Sequence, residues 1–135
     1  MEGVEIIRKG DVDYAIIVRR SAKSDSKYNF ICPDHFPFQL GVSFYKSGDV
    51  VRDHEHLPRS VQVTMFQELV LIAEGGATMR LFDKERKPMG VWSLAAGDLV
   101  LLINGAHGFD LVENTKIVEV KQGPFDPNVG DKVFI

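Results

Sequence analysis

The stretch ELVLIAEGGATMRLF, residues 68–82, decides the fold that we expect for this chain. Its first half contains LVLIA at 69–73, which is apolar at every position, and its second half contains ATMRLF at 77–82, another short and largely apolar run. Gly75 and Gly76 separate the two runs, and glycine accepts tight-turn geometry. Short apolar runs bounded by turn residues predict β-strands rather than helices.

The same pattern continues in both directions along the chain. Runs rich in Val, Ile, Leu, Phe and Thr alternate with turn sequences such as KSGD, DKERKP and AAGD, and few windows keep a helical period. Many short strands with regular turns are typical of a sandwich or a barrel. We therefore expect an all-β chain with strands near residues 14–19, 39–46, 61–64, 67–73, 77–82, 90–94, 99–103, 108–111 and 116–121.

Two of these strands are apolar on both faces. LVLIA at 69–73 and LVLLI at 99–103 lack the alternation of a strand with one wet face. One face should contact the interior of the barrel. The other should be covered by a second sheet, by the chain's own N-terminal segment or by a partner subunit, so we expect a homodimer.

Composition excludes several classes of protein. The 135 residues are 44% hydrophobic and 26% charged, which suits one domain over residues 1–135. A net charge of −3 disfavours nucleic acid as a partner, and no apolar run is long enough to cross a membrane. Cys32 is the only cysteine, so no intrachain disulfide can form, and with no signal peptide pattern we expect a cytoplasmic location.

The residues that carry chemistry follow Lys46. His54 and His56 are two positions apart, so on an extended segment both imidazoles project to the same side. Such a pair is half of a metal site, although two exposed loop histidines are the simpler interpretation of the triplet alone. The surrounding spacing favours the metal: Gly48 precedes His54 by five intervening residues, and Glu68 precedes Gly75 by six.

With these spacings the chain resembles the cupin superfamily, whose first motif runs Gly, five residues, His-x-His, a gap, Glu, six residues, Gly. Gly97, Gly105 and His107 match part of the second cupin motif. The resemblance covers residues 39–123, and the ending KIVEVKQGPF is similar to a subgroup of small cupins found in bacterial polysaccharide contexts. It implies a jelly-roll barrel, also described as a double-stranded β-helix.

The resemblance also implies one divalent transition metal held by His54, His56, Glu68 and His107. Three imidazoles and one carboxylate suit Fe, Mn, Ni, Co, Cu or Zn and leave coordination positions open for water or substrate. Gln67 is the alternative to Glu68 if the strand slips by one residue, because neighbouring side chains point to opposite faces.

Four further side chains are weighed for binding or catalysis. Arg59 could draw an anionic substrate toward the metal, or it is a solvated surface arginine, and His35 is either a pocket cap or an exposed loop histidine. Glu119 and Lys121 either line the barrel mouth, orienting a small-molecule substrate and moving protons, or form a surface ion pair.

The function expected on this basis is a metal-dependent enzyme that acts on a sugar or sugar-nucleotide derivative by oxygenation, isomerisation or elimination, with Glu68 or Glu119 handling protons. Whether it is an enzyme stays open. A metal-binding or sugar-binding sensor module is the alternative, and a metal-free sugar-nucleotide ketoisomerase is a third possibility.

Overall fold

The computed structural model describes residues 1–124, 126–130 and 132–135. Ten β-strands account for its regular structure: β1 (Glu2–Lys9), β2 (Val12–Lys23), β3 (Tyr28–Phe30), β4 (Gly41–Ser43), β5 (Glu68–Glu74), β6 (Gly76–Phe82), β7 (Pro88–Ala95), β8 (Leu99–Leu102), β9 (Ala106–Leu111) and β10 (Lys116–Lys121). The all-β class predicted from the sequence is confirmed. In this part of the chain no helix is long and apolar enough to cross a membrane.

The strands form three antiparallel sheets. The largest has five strands in the order β1-β2-β8-β5-β10, the second has three in the order β7-β6-β9, and β3 pairs with β4 in a short ribbon. Because β5 belongs to the large sheet and β6 to the three-stranded sheet, the chain changes sheets within a single turn. The two sheets are therefore directly connected at Gly75, between the end of β5 and the start of β6.

The core between the large sheet and the three-stranded sheet takes alternate residues from both. One face of the large sheet contributes Ile17, Val70, Ile72 and Val100, and the facing sheet contributes the apolar residues of β6 and β7, namely Ala77, Met79, Leu81 and Leu94. All eight are at most 4% exposed. Removal of this apolar area from water is the main stabilising contribution to such a two-layer arrangement.

A second core covers the opposite face of the large sheet. Ile16, Leu101 and Ile103 pack there against Cys32, Phe36 and Leu40 from the segment that links β3 to β4, with Met65 and Leu69 at the margin. This confirms that the runs at 69–73 and 99–103 are apolar because both faces of the sheet are covered. The covering element is a segment of the same chain, so these runs do not require a partner subunit.

Two glycines of the motifs are required by the backbone. Gly75, at the crossing between the sheets, has φ +76°, and a Cβ there would lie 2.3 Å from the carbonyl oxygen of Asn114. Gly105, just before β9, has φ +72°, and its Cβ would lie 2.0 Å from the carbonyl oxygen of Phe82. Only glycine fits such positions without distortion.

The structure corrects the strand assignment at several points, and the strand expected near residues 39–46 is limited to Gly41–Ser43. Residues 61–64 form no strand, because they pair with no neighbouring strand and lie mostly exposed, so their alternating valines do not build a ladder. The prediction also omitted β1 and β3. β1 reaches β2 through Gly10 and Asp11, and this two-residue loop with a positive φ at glycine is a hairpin signal that the sequence does carry.

Candidate functional site

A carboxylate and an imidazole meet between the two main sheets. Glu68 is the first residue of β5, and His107 is the second residue of β9. Oε2 of Glu68 lies 3.2 Å from Nε2 of His107, and the two side chains are 18% and 33% exposed. The pair is therefore partly shielded from solvent but reachable by a small molecule.

Strand alternation explains why both side chains point inward. Glu68, Val70 and Ile72 lie on one face of β5, and the two apolar members of this set belong to the core between the sheets. His107 is directly opposite Leu81 in the pairing of β6 with β9, and Leu81 belongs to the same core. Glu68 and His107 thus lie at the margin of that core.

The electrostatics of the pair favour an ionised carboxylate. The hydrogen bond with His107 lowers the pKa of Glu68, and this outweighs the opposing effect of partial burial. The charges of Lys121 and Lys132 lower the pKa of Glu68 further. A carboxylate that stays anionic can accept a hydrogen bond, coordinate a cation or orient the imidazole. Lys132 had no signal in the sequence, since it comes from an irregular C-terminal segment.

Two other residues named from the sequence share a face with Glu68. In the pairing of β5 with β10, Lys121 is directly opposite Glu68 and Glu119 is directly opposite Val70. Directly opposed residues of an antiparallel pair point to the same face of a sheet. Glu119 and Lys121 are therefore exposed residues on the face that carries Glu68, toward the end of β10.

Gln67 belongs to the opposite side of the sheet. It is 0% exposed, and its Oε1 accepts a hydrogen bond of 2.9 Å from the backbone N–H of Phe38. Its own backbone N–H donates to Oε1 of Gln122 at 2.8 Å. Gln67 holds the covering segment against the sheet, and of the two neighbours it is Glu68 that faces His107.

The other two histidines of the motif lie elsewhere in this arrangement. His54 and His56 belong to an exposed segment, residues 50–64, that has no regular secondary structure. Their ring centroids are 5.3 Å apart, and Nδ1 of His54 lies 2.8 Å from the carbonyl oxygen of Arg52. Across the described ranges, no three residues of the His, Cys, Asp or Glu types are grouped so that they could hold a metal ion. The structure brings Glu68 and His107 together and leaves the His54–His56 pair apart from them.

Arg59 and His35 also lie away from the Glu68–His107 pair. Both residues line a cleft beside Phe36, Phe38 and Met65, which pack on the second core and hence on the other face of the large sheet. The expectation that Arg59 draws an anionic substrate toward the metal stays a prediction, and Arg59 lies on the other face of the large sheet from Glu68.

Comparison of the chain with family models, with curated proteins and with solved structures found no match. The cupin resemblance therefore stays a prediction that rests on the spacing of the motif residues.

Proposed function

We propose that this chain is a metal-binding protein of the cupin type, with a jelly-roll barrel completed around the Glu68–His107 pair, and that it acts on a small polar molecule bound there. One observation carries this function: Glu68 Oε2 and His107 Nε2, from strands of different sheets, lie 3.2 Å apart at the margin of the core. Two of the four ligand residues that the motif implies are thus close enough to bind one ion.

The remaining ligands would come from residues 50–57. This part of the exposed segment carries His54 and His56, whose rings are already close to each other, and its apolar residues Val50 and Leu57 are 83% and 80% exposed. Closure of the segment toward β9 would remove those side chains from water and add two imidazoles to the pair. The four residues would then hold one Fe, Mn, Ni, Co, Cu or Zn ion.

The bound metal would supply Lewis acidity toward a ligand oxygen. The side chains of the chain itself divide the other tasks. Glu68, whose pKa is lowered by the hydrogen bond with His107, holds a negative charge beside that imidazole and is a weaker proton acceptor than an ordinary glutamate. Lys121, across the strand pair from Glu68, is suited to hold an anionic or hydroxyl group of a sugar or sugar-nucleotide derivative, and Glu119 is a second proton acceptor on the same face.

Metal analysis of purified protein tests this function. Wild-type protein should contain close to one divalent ion per chain. The single variants His107→Ala and Glu68→Gln should each lose at least about tenfold in metal affinity, and the double variant His54→Ala/His56→Ala, which removes two ligands, should lose more. Glu74→Gln, at the exposed far end of β5, and His35→Ala are the matched controls and should bind metal as the wild type does. If the wild type contains no metal and no divalent ion raises its thermal midpoint, metal binding is ruled out.

A second candidate is metal-free acid–base chemistry. The observation in its favour is that the Glu68–His107 pair is complete without the exposed segment, whereas no described group of three metal-ligating residues exists. An imidazole oriented by a carboxylate can remove a proton next to a carbonyl group, as a sugar-nucleotide ketoisomerase requires. This candidate predicts that deuterium from the solvent is incorporated into a sugar-nucleotide substrate. The exchange should persist when chelators are added, should be abolished by His107→Ala and should be unaffected by His54→Ala/His56→Ala.

A turnover assay distinguishes an enzyme from a non-catalytic binding module. Conversion of a sugar or sugar-nucleotide derivative at a rate that follows metal content supports the enzyme. Metal retained without turnover on a broad panel of such compounds supports a sensor or binding module.

A further inference from the structure

A cleft of about 430 Å³ lies on the side of the large sheet away from the Glu68–His107 pair. One wall is the loop 34–38 and the other is the segment 59–65. Its apolar lining includes Phe36, Phe38, Val61 and Met65, of which Phe36 is buried in the second core. The volume, and walls that are half apolar and half polar, suit a small molecule with an apolar body and a polar group.

Gln122 lines this cleft and carries a buried donor, its Nε2, without a hydrogen-bond partner among the described residues. The oxygen of the same amide accepts the backbone N–H of Gln67, which fixes the orientation of the amide and leaves the NH₂ group unpaired. An unpaired buried donor is unfavourable, so a ligand acceptor that reaches it would be stabilised.

The charged side chains at the cleft are Arg59 and Asp34, and His35 lies beside them. Arg59 lies on the wall formed by segment 59–65 and makes no ion pair or hydrogen bond with any residue that the structure describes. A guanidinium group matches the two oxygens of a carboxylate in a fork geometry. Asp34 lies on the opposite wall and would disfavour a ligand that carries negative charge at both ends.

We propose that this cleft is a second binding site, for a small monocarboxylate with an apolar body. The carboxylate contacts Arg59, one of its oxygens or a neighbouring acceptor receives the N–H of Gln122, and the apolar body packs between Phe36, Phe38 and Val61. The site does not depend on the metal, and its walls do not include His54 or His56.

Ligand titration followed by NMR tests the site with three probes: benzoate, phenylacetate and cyclohexanecarboxylate. At least one should bind and shift the side-chain amide signals of Gln122, while the matching uncharged amides should bind about tenfold more weakly or not at all. Arg59→Gln should weaken carboxylate binding by about tenfold. Arg52→Gln, on the same exposed segment but outside the cleft, is the matched control and should bind as the wild type does.

Gln122→Glu tests the donor separately. The glutamate keeps an oxygen for the N–H of Gln67 but replaces the donor with an oxygen that cannot donate while ionised, so carboxylate binding should be lost while Gln67 keeps its hydrogen bond to residue 122. The site is refuted if none of the three carboxylates binds, if the amides bind equally well, or if Arg59→Gln binds like the wild type. Because Arg59 is exposed, that variant should fold and the last outcome can always be read.

Discussion

Gly105 shows how one residue controls the position of a functional side chain. It lies two positions before His107. The backbone N–H of Ile103 and the side chain of Asn104 tie the same turn to β2 by donating to the carbonyl oxygens of Tyr14 and Asp13. The turn can pass this close to Phe82 only because residue 105 has no Cβ. The imidazole of His107 is thus aimed by backbone contacts on both sides of the turn.

Gly105→Ala should therefore be strongly destabilising. The left-handed backbone at φ +72° costs about 1–2 kcal/mol for alanine, and relief of the overlap with the Phe82 carbonyl should cost about 1–3 kcal/mol more. Gly10→Ala is the control, since Gly10 also has a positive φ, +59°, but open space around its Cβ position. Urea unfolding should give a clearly larger loss for residue 105, and equal losses would contradict the close approach.

Asp98 is a buried carboxylate that joins two elements of the fold through hydrogen bonds. Only 5% of the residue is exposed. Its carboxylate accepts hydrogen bonds from the backbone N–H groups of Arg20 at 2.9 Å and Ala95 at 3.1 Å and from Nη1 of Arg19 at 3.0 Å. It thereby joins the β7–β8 turn to β2. Burial alone would raise the pKa of Asp98, but these hydrogen bonds and the charge of Arg19 lower it overall.

Stability should consequently depend on the ionisation of Asp98. A carboxyl group whose pKa is lower when folded than when unfolded stabilises the fold fully above the unfolded value of about 4, and this contribution is lost as the pH falls through the folded pKa. Asp98→Asn should cost about 2 kcal/mol at pH 7, and the difference from wild type should shrink below about pH 4. Asp53→Asn, on the exposed segment, should show no such trend. A constant difference for Asp98→Asn down to pH 2 would contradict this account.

The sequence allowed a strand to be predicted where its apolar pattern matches the faces that are buried in the fold. β5 and β8 are apolar on both faces, and covered sheets require that pattern, so both strands could be located in advance. β1 carries charges at Glu2, Glu5, Arg8 and Lys9, which hide its apolar residues until the hairpin with β2 is known. Residues 61–64 have strand-like alternation without a partner strand, and pairing cannot be deduced from alternation alone.

The candidate site was predictable in the same partial manner. Glu68 and His107 are positioned by strands and by the glycines at 75 and 105, whose spacing can be read from the sequence. His54 and His56 lie on a long segment with few contacts, so their place relative to the sheets is not determined by spacing. Lys121 could be placed opposite Glu68 only once the register of β5 with β10 was known. The cleft at Gln122 depends on the fold of two loops and had no signal in the sequence.

At the scale of the whole molecule, the two edge strands of the large sheet, β1 and β10, are places where copies of the chain could associate. β10 is one edge of that sheet, and its outward residues Val118 and Val120 are 44% and 52% exposed. An edge strand with free backbone groups and exposed valines is a template for pairing with another strand. The homodimer expected from the sequence stays a prediction, since the chain itself covers the double-sided apolar runs, and β10 is the edge at which we expect it to form if it exists.

If copies of the chain pair through β10, Val120→Lys should give a monomer. The lysine would place a charge within the joined strands and must lose hydration to stay there, a means by which natural edge strands avoid pairing. Light scattering after gel filtration measures the mass directly. Val129→Lys, at a valine that is 66% exposed in the C-terminal segment, should leave the dimer intact. A monomeric wild type at all accessible concentrations would refute the dimer, and a Val120→Lys variant that stays dimeric would move the interface away from β10, with β1 as the remaining edge of the sheet.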